Sequence, residues 1–95
     1  MRGSTTAIVC TTAWFAAFTT ADGALTAFGL EADPANGDRL LVRWTQVDGS
    51  VNLDTIKAGD YKIFRGSYRN QVTKIELAAA SGSVSAWFGI VGNEV

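Results

Sequence analysis

Five cations, Lys57, Lys62, Arg65, Arg69 and Lys74, interleave with Tyr61, Phe64 and Tyr68, and Asp60 is the only acid among them. Cations alternating with aromatic rings on a sheet can follow a phosphate backbone and stack on bases. Residues 57–74, with Lys62, Arg65, Tyr68 and Arg69 foremost, are therefore the candidate surface for single-stranded nucleic acid, and an acidic protein surface would suit them as well. The competing expectation is that the cations form the solvated face of an antiparallel sheet while Ile63 and Phe64 pack inside. It carries more weight, because such alternation arises in any sheet with one wet face. The formal net charge of −1 supplies no overall attraction to nucleic acid or acidic lipid.

The three tryptophans, Trp14, Trp44 and Trp87, offer flat faces on which a sugar ring could stack. Trp44 falls on the apolar side of its run and is expected in the core. Trp87 falls on the less apolar side of its run and, with Tyr68, is the carbohydrate candidate, though exposed aromatics mark partner surfaces of every kind. Glu31, Asp33 and Asp38 gather around Asn36-Gly37, but their spacing fits no EF-hand loop, and Asp and Asn populate turns for their own reasons.

The chain contains no histidine, so neither a Ser-His-Asp nor a Cys-His arrangement can be built from it. Ser–Lys chemistry would need a lysine desolvated beside a serine, and no signature points to one. A carboxylate pair such as Asp54 with Asp60 has nothing to distinguish it from any other two acids. The expectation is a protein that is not an enzyme and uses no metal or cofactor. Cys10 is the sole cysteine, which rules out an intrachain disulfide and favours a reducing compartment.

These residues must be positioned by a small fold. Ninety-five residues make one domain, 1–95, of which a chain this size buries about 60–68% of its unfolded surface. Hydrophobic residues are 47% and charged residues 18% of the chain, below the roughly 25% charge usual in soluble domains. Some apolar surface is therefore expected to face other chains. The opening residues have the outline of a signal peptide, but Thr11 and Thr12 break the apolar run, which is also too short for a transmembrane helix.

Thr5 to Thr20 is rich in Thr, Val, Ile, Phe and Trp and reads as one bent strand or two short ones. A helix over Ala13 to Thr20, with Trp14 and Phe18 on one face, is the alternative. Asp22-Gly23 signals a hairpin into a strand Ala24 to Ala32. Asp33 to Asp38, with its proline and Asn-Gly, is a loop. In Arg39 to Val47 the more apolar set is Leu40, Val42, Trp44 and Gln46, which should point inward. Asp48-Gly49 signals a second hairpin, into a strand from Val51 to Ile56. Tyr61 to Arg65, Val72 to Ala79 and Ser83 to Val91, separated by turns, predict a β-meander. In the last, Val84, Ala86, Phe88 and Ile90 form the core face, opposite Val91. Seven to eight short strands with regular turns predict an all-β fold, a small antiparallel β-sandwich or jelly-roll-like barrel.

Residues 52–66, NLDTIKAGDYKIFRG, followed by Val72-Thr73-Lys74-Ile75-Glu76-Leu77 and Ser81-Gly82-Ser83-Val84, resemble the C-terminal half of small all-β structural proteins of tailed bacteriophage virions. The shared shape is an Ala-Gly turn, an aromatic strand, a glycine, an Ile-rich strand, then Ser-Gly and a valine-bearing strand. It covers about 40 residues and consists of turns, not functional groups; residues 1–47 have no counterpart in it. The resemblance implies a head decoration or cement protein: a homo-oligomer, often a trimer, that clamps capsid subunits in a virion assembled in the host cytoplasm. Residues 1–20 are then expected to pack against neighbouring chains, with Ile8, Trp14, Phe15, Phe18 and Trp87 as the candidate interface. Protein partners are expected, with no membrane, and single-stranded nucleic acid is the less favoured alternative.

Overall fold

The computed structural model describes residues 7–19, 24–67 and 69–94. Tyr68 and the Asp22-Gly23 turn lie outside the described residues, as do the side chains of Ile90 and Val91. The fold is all-β, with eight antiparallel strands: β1 (Ile8–Cys10), β2 (Phe15–Phe18), β3 (Ala24–Ala32), β4 (Leu40–Gln46), β5 (Val51–Ile56), β6 (Tyr61–Arg65), β7 (Val72–Ala79) and β8 (Val84–Glu94). The segment from Ala13 is thus extended over Phe15–Phe18 and not helical. Its small and aromatic residues pair with β7 at Phe15↔Leu77, Ala16↔Glu76 and Phe18↔Ile75. Helical spacing of Trp14 and Phe18 is overridden by that pairing. No helix among the described residues is long and apolar enough to cross a membrane.

The strands form two layers. One runs β1-β8-β3-β6 and the other β2-β7-β4-β5, and among the described residues they join into one sheet through the corner pair Leu25↔Val72. Phe28 and Phe64 are register partners in the first layer, with ring centroids 5.0 Å apart. Trp44, from the second layer, meets Phe28 edge-on at 6.0 Å and Phe64 at 4.9 Å. This aromatic trio closes the sandwich, and Leu30, Leu40, Val42, Ile56, Val72, Ile75 and Leu77 fill the rest of the core.

The sequence of layers overturns the expected meander. Among consecutive strands of the described chain, only β4 and β5 pair with each other; every other connection carries the chain to the opposite layer. The 66–71 connection does not reverse the chain at all. Arg65 pairs with Ala27, Gly66 donates its N–H to the Thr26 carbonyl, and Val72 pairs with Leu25, so β7 continues along the same edge of β3 after an excursion. A pair Ser67↔Asn70 closes that excursion. The expected hairpin between residues 15–18 and 24–32 is likewise absent among the described residues, since β2 pairs with β7 and β3 with β6, β7 and β8.

The hairpin at Asp48-Gly49 does form. Gly49 donates to the Gln46 carbonyl and adopts φ 88°, while Gln46 donates to the Ser50 carbonyl. That is a tight turn followed by a residue in the left-handed region, where glycine has no Cβ to clash. The Asp48 carboxylate accepts the Ser50 N–H at 2.8 Å and is held below its usual range, chiefly by Ser50.

Candidate functional site

The hairpin register decides which residues share the outer face of the second layer. Leu41↔Thr55, Arg43↔Leu53 and Thr45↔Val51 pair on one side of β4, and Leu41↔Ala78, Arg43↔Glu76 and Thr45↔Lys74 on the other. With Leu40 and Val42 buried inward, these six pairs face outward. Trp14, just before β2, lies over the middle row: the Arg43 guanidinium stands 4.2 Å from its ring centroid. Arg43 Nε also donates to Glu76 Oε1 at 2.9 Å, and Lys74 Nζ lies 3.7 Å from Glu76 Oε2. The hydrogen bond from Arg43 holds the Glu76 carboxyl below its usual range, against a smaller opposing effect of burial.

Beside this cluster opens a hollow of about 400 Å³ lined by Trp14, Leu41, Leu53, Asp54 and Thr55. Its walls are mainly apolar. Leu53 is 68% exposed and Val51 57% exposed. Large aliphatic side chains left that open, in adjacent positions of one strand, form an apolar strip and not scattered singles. On the neighbouring edge, Tyr61 and Ile63 of β6 are also exposed.

Both β5 and β6 are edges, one of each layer, and side chains link them. Lys62 Nζ donates to the Thr55 carbonyl at 3.0 Å and lies 3.5 Å from both Asp54 carboxylate oxygens. The Thr55 N–H is accepted by Asp54 Oδ1 at 2.7 Å. In the Gln46–Ser50 register, the backbone groups of Ser50, Asn52, Asp54 and Ile56 point toward β4. Those of Val51, Leu53 and Thr55 therefore point out of the sheet. Of these three, Thr55 has its donor and acceptor occupied by Asp54 and Lys62.

The sequence candidates distribute as follows. Lys62 shares the inward-facing set with Phe64 and is held between the two edges, whereas Arg65 falls on the opposite face of β6, Arg69 on a turn, and Lys74 on the outer face of the second layer. The cations do not make one stripe, because strand alternation and the layer switch at 66–71 send them to different faces; this corrects the grouping of Lys62, Arg65 and Arg69. Of the interface residues, Phe15 is 49% exposed at the β2 edge, and Ile8, Trp14 and Trp87 are half-buried. Phe18 is a correction: at 3% exposure it packs with Phe88 inside the core, ring centroids 6.4 Å apart, and has no surface to offer. Trp87 sits in register with Glu31, half-covered, and not as an open platform.

The acidic loop serves the fold. Asp33 Oδ1 accepts the Ala35 N–H, Asp38 accepts Arg39 N–H and Ser81 Oγ–H, and Asn36 both donates to and accepts from the Ser85 backbone. The Ser81 hydrogen bond is the main reason the Asp38 carboxyl is lowered. Among the described residues no three His, Cys, Asp or Glu side chains converge as a metal site would require.

Sequence reasoning did not single out Leu41, Arg43, Val51 or Leu53. The signal was present: in-register counting back from Asp48-Gly49 aligns the odd-numbered residues of both strands, and an apolar set opposite an already apolar core face marks a second covered surface. Searched against protein-family models, curated proteins and solved structures, the chain matches none.

Proposed function

We propose that this protein is a noncatalytic assembly protein, a virion component of the decoration or cement kind, which stabilises neighbouring subunits through protein contacts. The observation that carries this reading is the strip of Val51, Leu53 and Leu41 beside the Trp14 hollow, with Tyr61 and Ile63 exposed separately on the outer face of the other layer. Apolar area of this kind gains roughly 25 cal/mol per Å² when another chain covers it, and water gives nothing back for leaving it open. The ionisable groups with lowered pKa, Asp38, Asp48 and Glu76, are engaged in turn-building or ion pairing. The resemblance of its turn pattern to phage virion proteins supports a capsid as the setting, with homo-oligomers, trimers included, and capsid subunits as partners.

The other readings draw less support. A nucleic-acid strand would have to wind over several faces to meet Lys62, Arg65 and Lys74. A sugar would find one face of Trp14 occupied by Arg43 and Trp87 half-covered.

Sedimentation velocity of the purified protein, from roughly micromolar to hundreds of micromolar, tests the reading, since assembly obeys mass action. A sedimentation coefficient that rises with concentration is expected. A strictly monomeric species that also fails to bind capsid shells would overturn it.

A further inference from the structure

We infer that strand β5 is a self-pairing edge: two copies of this chain join β5 to β5 antiparallel about a twofold axis passing at Asn52. The inference deepens the assembly reading and rests on it. On the outer edge of β5 the capped residue is Thr55, its N–H taken by Asp54 and its carbonyl by Lys62. Val51 and Leu53 are left with an N–H and a carbonyl each directed away from β4. A second strand laid there can be met by two residues, and the copy that fits must present two residues of its own at the same spacing.

A second β5 does so in one register. With the axis at Asn52, Val51 stands opposite Leu53 of the second copy and Leu53 opposite its Val51, giving two hydrogen-bonded pairs that use every uncapped group and no capped one. The two exposed side chains meet as apolar cross-strand pairs on the outer face. Asp54 falls opposite Ser50 of the second copy, a hydroxyl and not a charge. The alternatives fail on the same residues. An axis at Leu53 sets Val51 against the capped Thr55, an axis at Asp54 opposes two carboxylates, and an axis at Val51 or Ser50 runs the strand into the Val47–Gly49 turn. The Asp54–Lys62 clamp therefore acts as a register stop, limiting the pairing to two residues per strand, and the twofold contact closes on itself because each β5 edge covers the other. The product is a continuous sheet through both copies, with the Trp14 hollows on one side of it.

Cysteine trapping tests the register and charge substitution tests the surface. Asn52→Cys places two thiols across the axis, in a pair whose Cα atoms lie about 4.5 Å apart, within disulfide reach. Under oxidation it should run as a covalent dimer, while Thr55→Cys and the wild type, whose Cys10 is fully buried, should not. Leu53→Lys, on an exposed position that leaves the monomer folded, should weaken self-association by roughly tenfold or more. Self-association that persists in Leu53→Lys, with no covalent dimer from Asn52→Cys, overturns the β5 register while leaving assembly intact. A wild type monomeric at every concentration overturns both.

Discussion

At the scale of single residues, two side-chain environments carry sharp consequences. A Cβ on Gly66 would sit 2.8 Å from the Asn70 carbonyl oxygen and 3.4 Å from both Gln46 Nε2 and Val72 Cγ2. The carbonyl belongs to backbone fixed by the Ser67–Asn70 pair and already accepts from Gln46 Nε2, so it cannot swing aside. Gly66→Ala is expected to destabilise by roughly 1–3 kcal/mol, read from the urea midpoint at constant slope. Glu76 makes a pH prediction. Its folded-state pKa is lowered, mainly by the hydrogen bond from Arg43, so its stabilising contribution is present above the unfolded-state value and is lost as pH falls through the folded-state value. Glu76→Gln should therefore be less stable than wild type at pH 7, by roughly 0.5–2 kcal/mol, and the gap should narrow as pH falls through the folded-state value. Equal stability at pH 7 would remove the Arg43 interaction from the account.

At the scale of elements, β5 separates two kinds of position within one strand. The Asn52 N–H points to β4, so Asn52→Pro breaks a ladder bond and should cost about 3 kcal/mol or more. The Leu53 N–H points outward, so Leu53→Pro should cost about 1 kcal/mol or less while abolishing self-association. Thermal denaturation of the two variants reads the difference, and equal losses would mean that β5 is not an edge of the sheet. Strand boundaries were legible in the sequence: Ala24 to Ala32, Val51 to Ile56, Tyr61 to Arg65 and Val72 to Ala79 form where composition and turns place them. So was the inward set Leu40, Val42 and Trp44, because side-chain alternation depends on the strand alone. Pairing was not legible. A turn signal such as Gly66-Ser67 says that the chain bends, not which strand receives it, and here an internal Ser67↔Asn70 closure cancels the bend and returns β7 to the heading of β6. The Asp48-Gly49 hairpin was readable because its partner strands are adjacent in sequence, so loop length alone fixes the register.

At the scale of the whole molecule, apolar side chains go two ways. One set, from both layers, closes the sandwich around Phe28, Phe64 and Trp44. The other, Val51, Leu53, Leu41 and Ile63, remains on or beside free edges. Sequence composition announced the surplus, as low charge with high hydrophobicity, but assigned it to residues 1–20. Within the described part of that segment, Cys10 and Phe18 join the core while Val9 and Phe15 stay exposed, and further open apolar side chains lie on β5 and β6, which composition did not single out. Composition counts apolar groups without locating them, and topology decides which strands become edges. The account predicts that the strip is covered when copies of the protein meet. Residue-resolved amide exchange at rising protein concentration measures this most directly. The Val51 and Leu53 amides should exchange fast in dilute solution and gain protection in step with concentration, while Asn52 and Asp54, bonded to β4, stay protected throughout. Val51 and Leu53 amides that exchange equally fast at every concentration would contradict it.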